Sequence, residues 1–294
     1  MNISLKQLYF GIIVILFSLA NEGGAQELYY PLSDDFSEET NLHSDLIPLS
    51  NPSGDDGYFG SFTVPSTTCP NEFEVDGYYF YEDAGLQFNN ESFITCDYSI
   101  QFTFQLDNVT GYNRLINFNT GIDAGIYLLS GTLNFYPNGN IGTPGFFNTV
   151  DLYQFTITRN CAGLVNVYVN GTFFTSYDDS ASPLYLVQNP DNLIVFFQDN
   201  ITGPANGEAS SGWVKNIIIA NYVWPITTVE DDWDDFCDDL IDQSCLDCAG
   251  EINGTAVLDS CGICLEPTDP NFNTDSQVCT DCNGVLFGNA VIDS

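Results

Sequence analysis

Positive charge is nearly missing from this sequence: four Lys and Arg stand against forty Asp and Glu, a formal net charge of −36. Nucleic acid is all but excluded as a partner, because few cations exist to replace the counterions on its phosphates. An anionic membrane surface is disfavoured for the same reason. Histidine is scarce too. The single one, His43, sits in Asn41-Leu-His43-Ser-Asp45, and no nucleophile elbow accompanies it, so a Ser-His-Asp hydrolase has little to build on. Long apolar runs are missing beyond the N-terminus. A bilayer span takes about 20 apolar residues, and the run Leu8–Ala20 falls short of that. Preceded by Lys6 and followed by small residues at Gly23 and Ala25, it has the build of a signal peptide over residues 1–25 rather than of a membrane anchor. The mature chain is expected to be secreted or held at the cell surface, with no membrane insertion after signal cleavage.

Strand periodicity is what the chain has in quantity. Ile100-Gln-Phe102-Thr-Phe104-Gln-Leu106 alternates apolar and polar, as a half-buried strand does. Gly125–Leu129 and Thr132–Tyr136 flank Ser130-Gly131, a two-residue hairpin signal. Tyr153–Arg159 and Leu164–Val169 flank Asn160-Cys161-Ala162-Gly163, and Asn170-Gly171 turns the chain into Thr172-Phe173-Phe174. Asn192–Phe197 and Val214–Val223 are nearly continuous apolar runs, suited to strands buried between two layers. Many short strands with Gly and Asn turns predict an all-β sandwich over residues 26–228. After Pro225 the composition changes. Apolar residues at 229, 233, 236 and 240 have helical spacing, with Thr227 or Thr228 as N-cap, so 229–244 reads as a short acidic connector whose aromatic stripe docks on the sandwich.

Residues 245–294 repeat. Cys245-Leu-Asp-Cys248 returns as Cys279-Thr-Asp-Cys282, an offset of 279 − 245 = 34, and the second copy stops one residue before its next cysteine is due. The segment is too small and polar for a core of its own, so crosslinks are expected to hold it. Cys245-x2-Cys248-x12-Cys261-x2-Cys264 has the spacing of a four-thiolate zinc site, but ten cysteines in an exported chain favour disulfides. Upstream, Cys69, Cys96, Cys161 and Cys237 form an even set; Cys69–Cys96 with Cys161–Cys237 is the pairing expected among three connectivities.

Several segments together resemble a known family. Glu27-Leu-Tyr-Tyr-Pro-Leu-Ser-Asp-Asp-Phe36, Tyr98–Leu106 followed by Tyr112-Asn-Arg114-Leu-Ile-Asn-Phe118, the turn Val167-Tyr168-Val169-Asn170-Gly171, Phe196-Phe197-Gln-Asp199-Asn, and Gly207-Glu208 to Trp213-Val214 and Asn216–Ile219 occur in the order of laminin-G-like, concanavalin-A-type jelly rolls. The resemblance covers residues 26–225. The C-terminal units are similar to Asp-Cys-x-Gly … Asp-x-Cys-Gly-x-Cys spacer repeats of large secreted bacterial surface proteins, which are likened to thrombospondin calcium repeats. Dense Asp-x-Asp-x-Asp runs are lacking here. The family implies two antiparallel sheets, often one structural calcium, and roles in adhesion or glycan binding. Fold does not fix function.

Calcium takes hard oxygen ligands from several loops. Asp199, Asn200 and Glu208, between two apolar strands where the family keeps acidic residues, are candidate Ca2+ ligands, with Asp123 a second site; each also suits an ordinary turn. Asp259 and Asp293 are read as turn caps. A sugar platform needs flat rings in the open, for which Tyr79, Tyr81 and Trp213 are the candidates, with Tyr78 and Trp224 beside them and core packing the default for each. Concanavalin-type glycosidases use Glu-x-Asp-x-x-Glu, and Glu74-Val-Asp76-Gly-Tyr-Tyr79 lacks the second glutamate. Sequons at Asn90, Asn108, Asn170, Asn200 and Asn253 include two Asn-Gly turns. The function expected is non-enzymatic adhesion or glycan binding on a disulfide-stapled spacer, with an extracellular glycan or surface protein as partner. The alternatives are a self-associating structural module of a sheath or filament, and an accessory part of a glycan-degrading enzyme.

Overall fold

The computed structural model describes residues 25–69, 73–118, 124–181, 183, 185–186, 192–199, 208–239, 257–258 and 264–265. The chain divides into two units, residues 1–234 and 235–294. In the first, the strands are β1 (Glu27–Tyr30), β2 (Ile47–Leu49), β3 (Gly57–Val64), β4 (Phe73–Phe80), β5 (Gly85–Asn89), β6 (Tyr98–Leu106), β7 (Tyr112–Asn117), β8 (Gly125–Leu129), β9 (Thr132–Tyr136), β10 (Gly139–Asn140), β11 (Tyr153–Arg159), β12 (Leu164–Val169), β13 (Thr172–Asp178), β14 (Leu193–Phe196) and β15 (Gly212–Ala220). They form two antiparallel sheets, as expected of a jelly-roll sandwich. One is eight-stranded, in the order β13-β12-β11-β6-β15-β4-β3, with β1 also paired to β15; the other is seven-stranded, β10-β9-β8-β7-β14-β5-β2. Helix α1 (Ile226–Asp239) follows. The second unit is described at the end of α1 and at a hairpin pairing Val257↔Leu265 and Leu258↔Cys264. The expected leader and the cysteines at 245, 248, 261, 279 and 282 lie outside the described residues, as do the side chains of Cys237 and Cys264.

The inner faces of the two sheets make the core. Phe102, Phe104, Phe155, Ile157 and Val214 from one sheet meet Leu86, Phe88, Ile116, Leu133 and Ile194 from the other. Alternation explains the choice of side chains, since successive residues of a strand point to opposite faces. Both predicted two-residue turns form with left-handed backbone: Ser130-Gly131 has φ 50° and 72°, and Asn170-Gly171 has φ 51° and 71°. That geometry matches the twist of the flanking strands. Among the described residues no helix is long and apolar enough to cross a membrane.

Three expectations are corrected. The apolar run expected to continue to Val223 ends as strand at Ala220, and a register shift between Lys215 and Ile217, with Asn216 at φ 53°, interrupts it. The helix starts directly after Pro225, whose carbonyl accepts the Thr228 N–H at 3.1 Å, so both threonines lie inside the first turn rather than cap it. A proline's fixed φ suits that starting position. The cysteine pairing also differs: Cys96 is bonded to Cys161, their Cα atoms 4.6 Å apart. The reason is the sheet. Cys96 precedes β6 and Cys161 follows β11, and these neighbours pair through Tyr98↔Arg159 at that end. Closing a loop of 65 residues stabilises the fold by about 4 kcal/mol on the chain-entropy estimate. Cys69 is also in a disulfide.

Candidate functional site

The outer face of the eight-stranded sheet is divided in two. Register across β3, β4, β15 and β6 pairs Tyr58↔Tyr79, Tyr79↔Trp213 and Trp213↔Gln105. Val214 and Phe104, one residue along, point into the core, so the row Tyr58–Tyr79–Trp213 projects away from it. Directly opposed aromatic residues interact across strands. Ring centroids are 5.1 Å apart for Tyr58 and Tyr79, and 5.2 Å for Tyr79 and Trp213. Tyr81, just beyond β4, sits edge-on to Tyr79 at 5.6 Å. Tyr58 is 48% and Tyr81 39% exposed; Tyr79 and Trp213 are half-buried.

Two glycines let these rings lie against the sheet. Gly60 and Gly77 are opposite each other. A Cβ on Gly60 would meet the Trp213 ring at 3.3 Å, and one on Gly77 would meet Phe62 at 2.8 Å. Phe62 and Trp213 stack at 4.9 Å, 17° from parallel, over that bare strip of backbone. A polar end closes the row: one Asp107 oxygen accepts hydrogen bonds from the Tyr79 and Ser211 hydroxyls, each 2.7 Å. Partial burial, followed by the bond to Asp107, raises the Tyr79 pKa.

The other half of the same face is polar and covered. Ser99, Gln101 and Thr103 on β6, with Gln154, Thr156 and Thr158 on β11, are all buried. Thr156 donates to Gln101 at 2.7 Å, and Gln101 donates to the Asp232 carboxylate of α1 at 3.2 Å. Ser99 donates to the Tyr222 carbonyl and accepts from the Trp224 N–H at 2.8 Å. Trp224, Val229, Tyr168 and Ala220 form a small apolar cluster beside them. Of the connector, Val229 and Asp232 touch the sandwich in this way.

The three proposed sugar residues, Tyr79, Tyr81 and Trp213, are brought together. Tyr78 and Trp224 are not with them; both are core residues, 2% and 3% exposed. Tyr58 and Phe62 were missed by the sequence reading, as were Gly60 and Gly77. Glu74 and Asp76 accept hydrogen bonds from Thr63 and Ser61 on β3, at 2.6 and 2.7 Å.

The calcium candidates divide differently. Asp123 and Asn200 lie outside the described residues. Asp199 and Glu208 do approach one another, through Arg114. The Asp199 carboxylate is buried 3.0 Å from the Arg114 guanidinium, whose Cζ stands 4.6 Å over the Tyr127 ring, and the Arg114 N–H donates to the Glu208 carbonyl at 2.9 Å. Asp199 does not fit a calcium ligand set: a divalent ion on its carboxylate would stand against a fixed buried cation. Cys96, Asp97 and Cys161 place ligand atoms within 4.8 Å of one another, but both sulfurs are consumed in the disulfide. His43 stacks on Phe88 at 4.9 Å, while Asp45 accepts the Glu38 N–H.

No protein-family model matches the chain, and no curated protein matches it in sequence. Solved structures match in fold. Domain 4 of AbnA, an extracellular GH43 arabinanase from Geobacillus stearothermophilus solved in complex with arabinotriose, is similar with a TM-score of 0.51 at 14% identity, over 71% of this chain and 98% of that one. The binding domain of Paraclostridial Mosquitocidal Protein 1 is similar with a TM-score of 0.48 at 16% identity, over 71% of this chain and 51% of that one. A Trypanosoma rangeli sialidase has a TM-score of 0.47 at 14% identity, with 71% and 32% covered. The chain thus spans nearly all of the arabinanase domain but about half of the toxin domain. The likeness to the arabinanase domain bears out the β-sandwich fold.

Proposed function

We propose that this chain is a non-catalytic carbohydrate-binding module of the cell exterior, with Tyr58, Tyr79, Tyr81 and Trp213 as its sugar-contacting surface. One observation carries the reading: among the described residues, the chain covers the polar half of the sheet face with its own helix and leaves the aromatic half open. Four neighbouring rings on one face form a contiguous patch, unlike scattered exposed apolar residues, which need no explanation. Aromatic rings pack against the C–H faces of sugars, and a nearby carboxylate accepts hydrogen bonds from their hydroxyls. Asp107 stands at that position beside Tyr79. The arabinotriose bound to the arabinanase domain of similar fold is in keeping with this role.

The test is saccharide-array binding by the purified protein and its variants. Binding is expected to disappear in Tyr58→Ala and Trp213→Ala, and to persist in Phe173→Ala, which removes a ring that is 50% exposed on β13, at the opposite edge of the sheet. Failure of the protein to bind any saccharide, or equal loss in all three variants, would sink the proposal.

A further inference from the structure

We infer that the saccharide taken by the aromatic row is uncharged, and that uronic, sulfated or sialylated glycans are repelled by the domain itself. The inference rests on the carbohydrate-binding role proposed above and names its ligand class.

Sites that hold carboxylates or sulfates do so with guanidinium or ammonium groups. Beyond the N-terminal segment the sequence holds three, Arg114, Arg159 and Lys215; the fold buries both arginines and bonds the half-buried lysine to the backbone. Arg114 is 1% exposed against Asp199. Arg159 is 2% exposed; its Nε and Nη2 donate to the two oxygens of Asp179 at 3.0 and 2.9 Å, and its Nη1 donates to the Cys96 carbonyl at 2.9 Å. Lys215 shares the face of Trp213, but it is half-buried and its ammonium donates to the Asp76 carbonyl at 3.0 Å. Among the described residues no Lys or Arg is exposed. Acidic residues flank the row instead: the Asp107 carboxylate is bonded to Tyr79, Asp56 meets the Tyr81 N–H through its backbone carbonyl at 3.2 Å, and the exposed Glu82 follows Tyr81. An anionic sugar on these rings meets three negative groups and no exposed positive one. For an assumed separation of about 8 Å through water, three like charges amount to about a tenfold penalty at low ionic strength, fading as salt screens them.

The probes are neutral polymers (galactan, mannan and soluble cello-oligomers), each beside the same polymer oxidised at C6 to the uronate. The neutral form is expected to bind, and its uronate about tenfold more weakly in about 10 mM salt, with the gap closing in about 0.5 M salt. Glu82→Lys is expected to narrow the low-salt gap. A uronate bound as tightly as its neutral parent at low salt, or bound where the parent is not, overturns the inference while leaving carbohydrate binding in place. Binding of neither form overturns the carbohydrate role, and the inference with it.

Discussion

The two halves of one sheet face invert the ordinary rule in opposite senses. Over β6 and β11, six polar side chains are buried; over β3, β4 and β15, tyrosines and a tryptophan remain in contact with water. Burial does not sort these residues by polarity, because a buried hydroxyl or amide is tolerated once it is bonded. Ser99, Gln101 and Gln154 find partners in Trp224 and Asp232. Among the described residues the aromatic half has no such cover.

The largest expected effect tests whether the two halves melt as one. Burial is the leading cause that raises the phenols of Tyr30, Tyr78, Tyr98, Tyr185 and Tyr222, and it pushes Tyr153 up to about 12. A phenol whose folded pKa lies above its unfolded value contributes stability that is whole below about pH 10 and is lost as pH climbs toward the folded value. The domain should therefore unfold cooperatively above pH 10, with phenolate absorbance and circular dichroism changing together. Lys215 works in the opposite sense, because burial lowers its pKa, and one group does not offset so many phenols.

Next in size, Trp224→Ala in the covered half should cost about 3–5 kcal/mol in urea unfolding and leave saccharide binding in place at low temperature. Gly77→Val in the open half should cost about 1–3 kcal/mol, because its Cβ presses on Phe62 and the Val214 carbonyl. It should weaken binding as well, since Phe62 supports Trp213. Trp213→Ala, with part of its ring already in water, should cost about 1–2 kcal/mol and abolish binding. Equal stability losses at Trp213 and Trp224 would erase the contrast between the halves.

The fold was legible where turn chemistry and alternation agree. β8, β9, β11 and β12 begin and end as the sequence predicts, since Ser130-Gly131 and Asn170-Gly171 admit the left-handed backbone that a tight hairpin needs. Three of the four rings of the aromatic patch were legible too: Tyr79, Tyr81 and Trp213. Tyr58 and Phe62 were not, because Asp56-Gly57-Tyr58-Phe59-Gly60 carries three residues that weaken a strand pattern. Only pairing with β4 makes Gly60 and Gly77 the floor under a ring. Tyr78 and Tyr79 are chemically identical neighbours, and the pleat sends one inward and the other outward.

By itself the sequence determined the all-β class, the hairpin turns and the depth of the negative charge. These follow from local backbone preference and from counting, neither of which depends on distant residues. The tertiary structure alone decided the Cys96–Cys161 bond, the burial of Arg114 and Arg159, and which rings stay in the open. Each of these depends on register between strands far apart in the chain, and a shift of one residue would reverse every inside and outside.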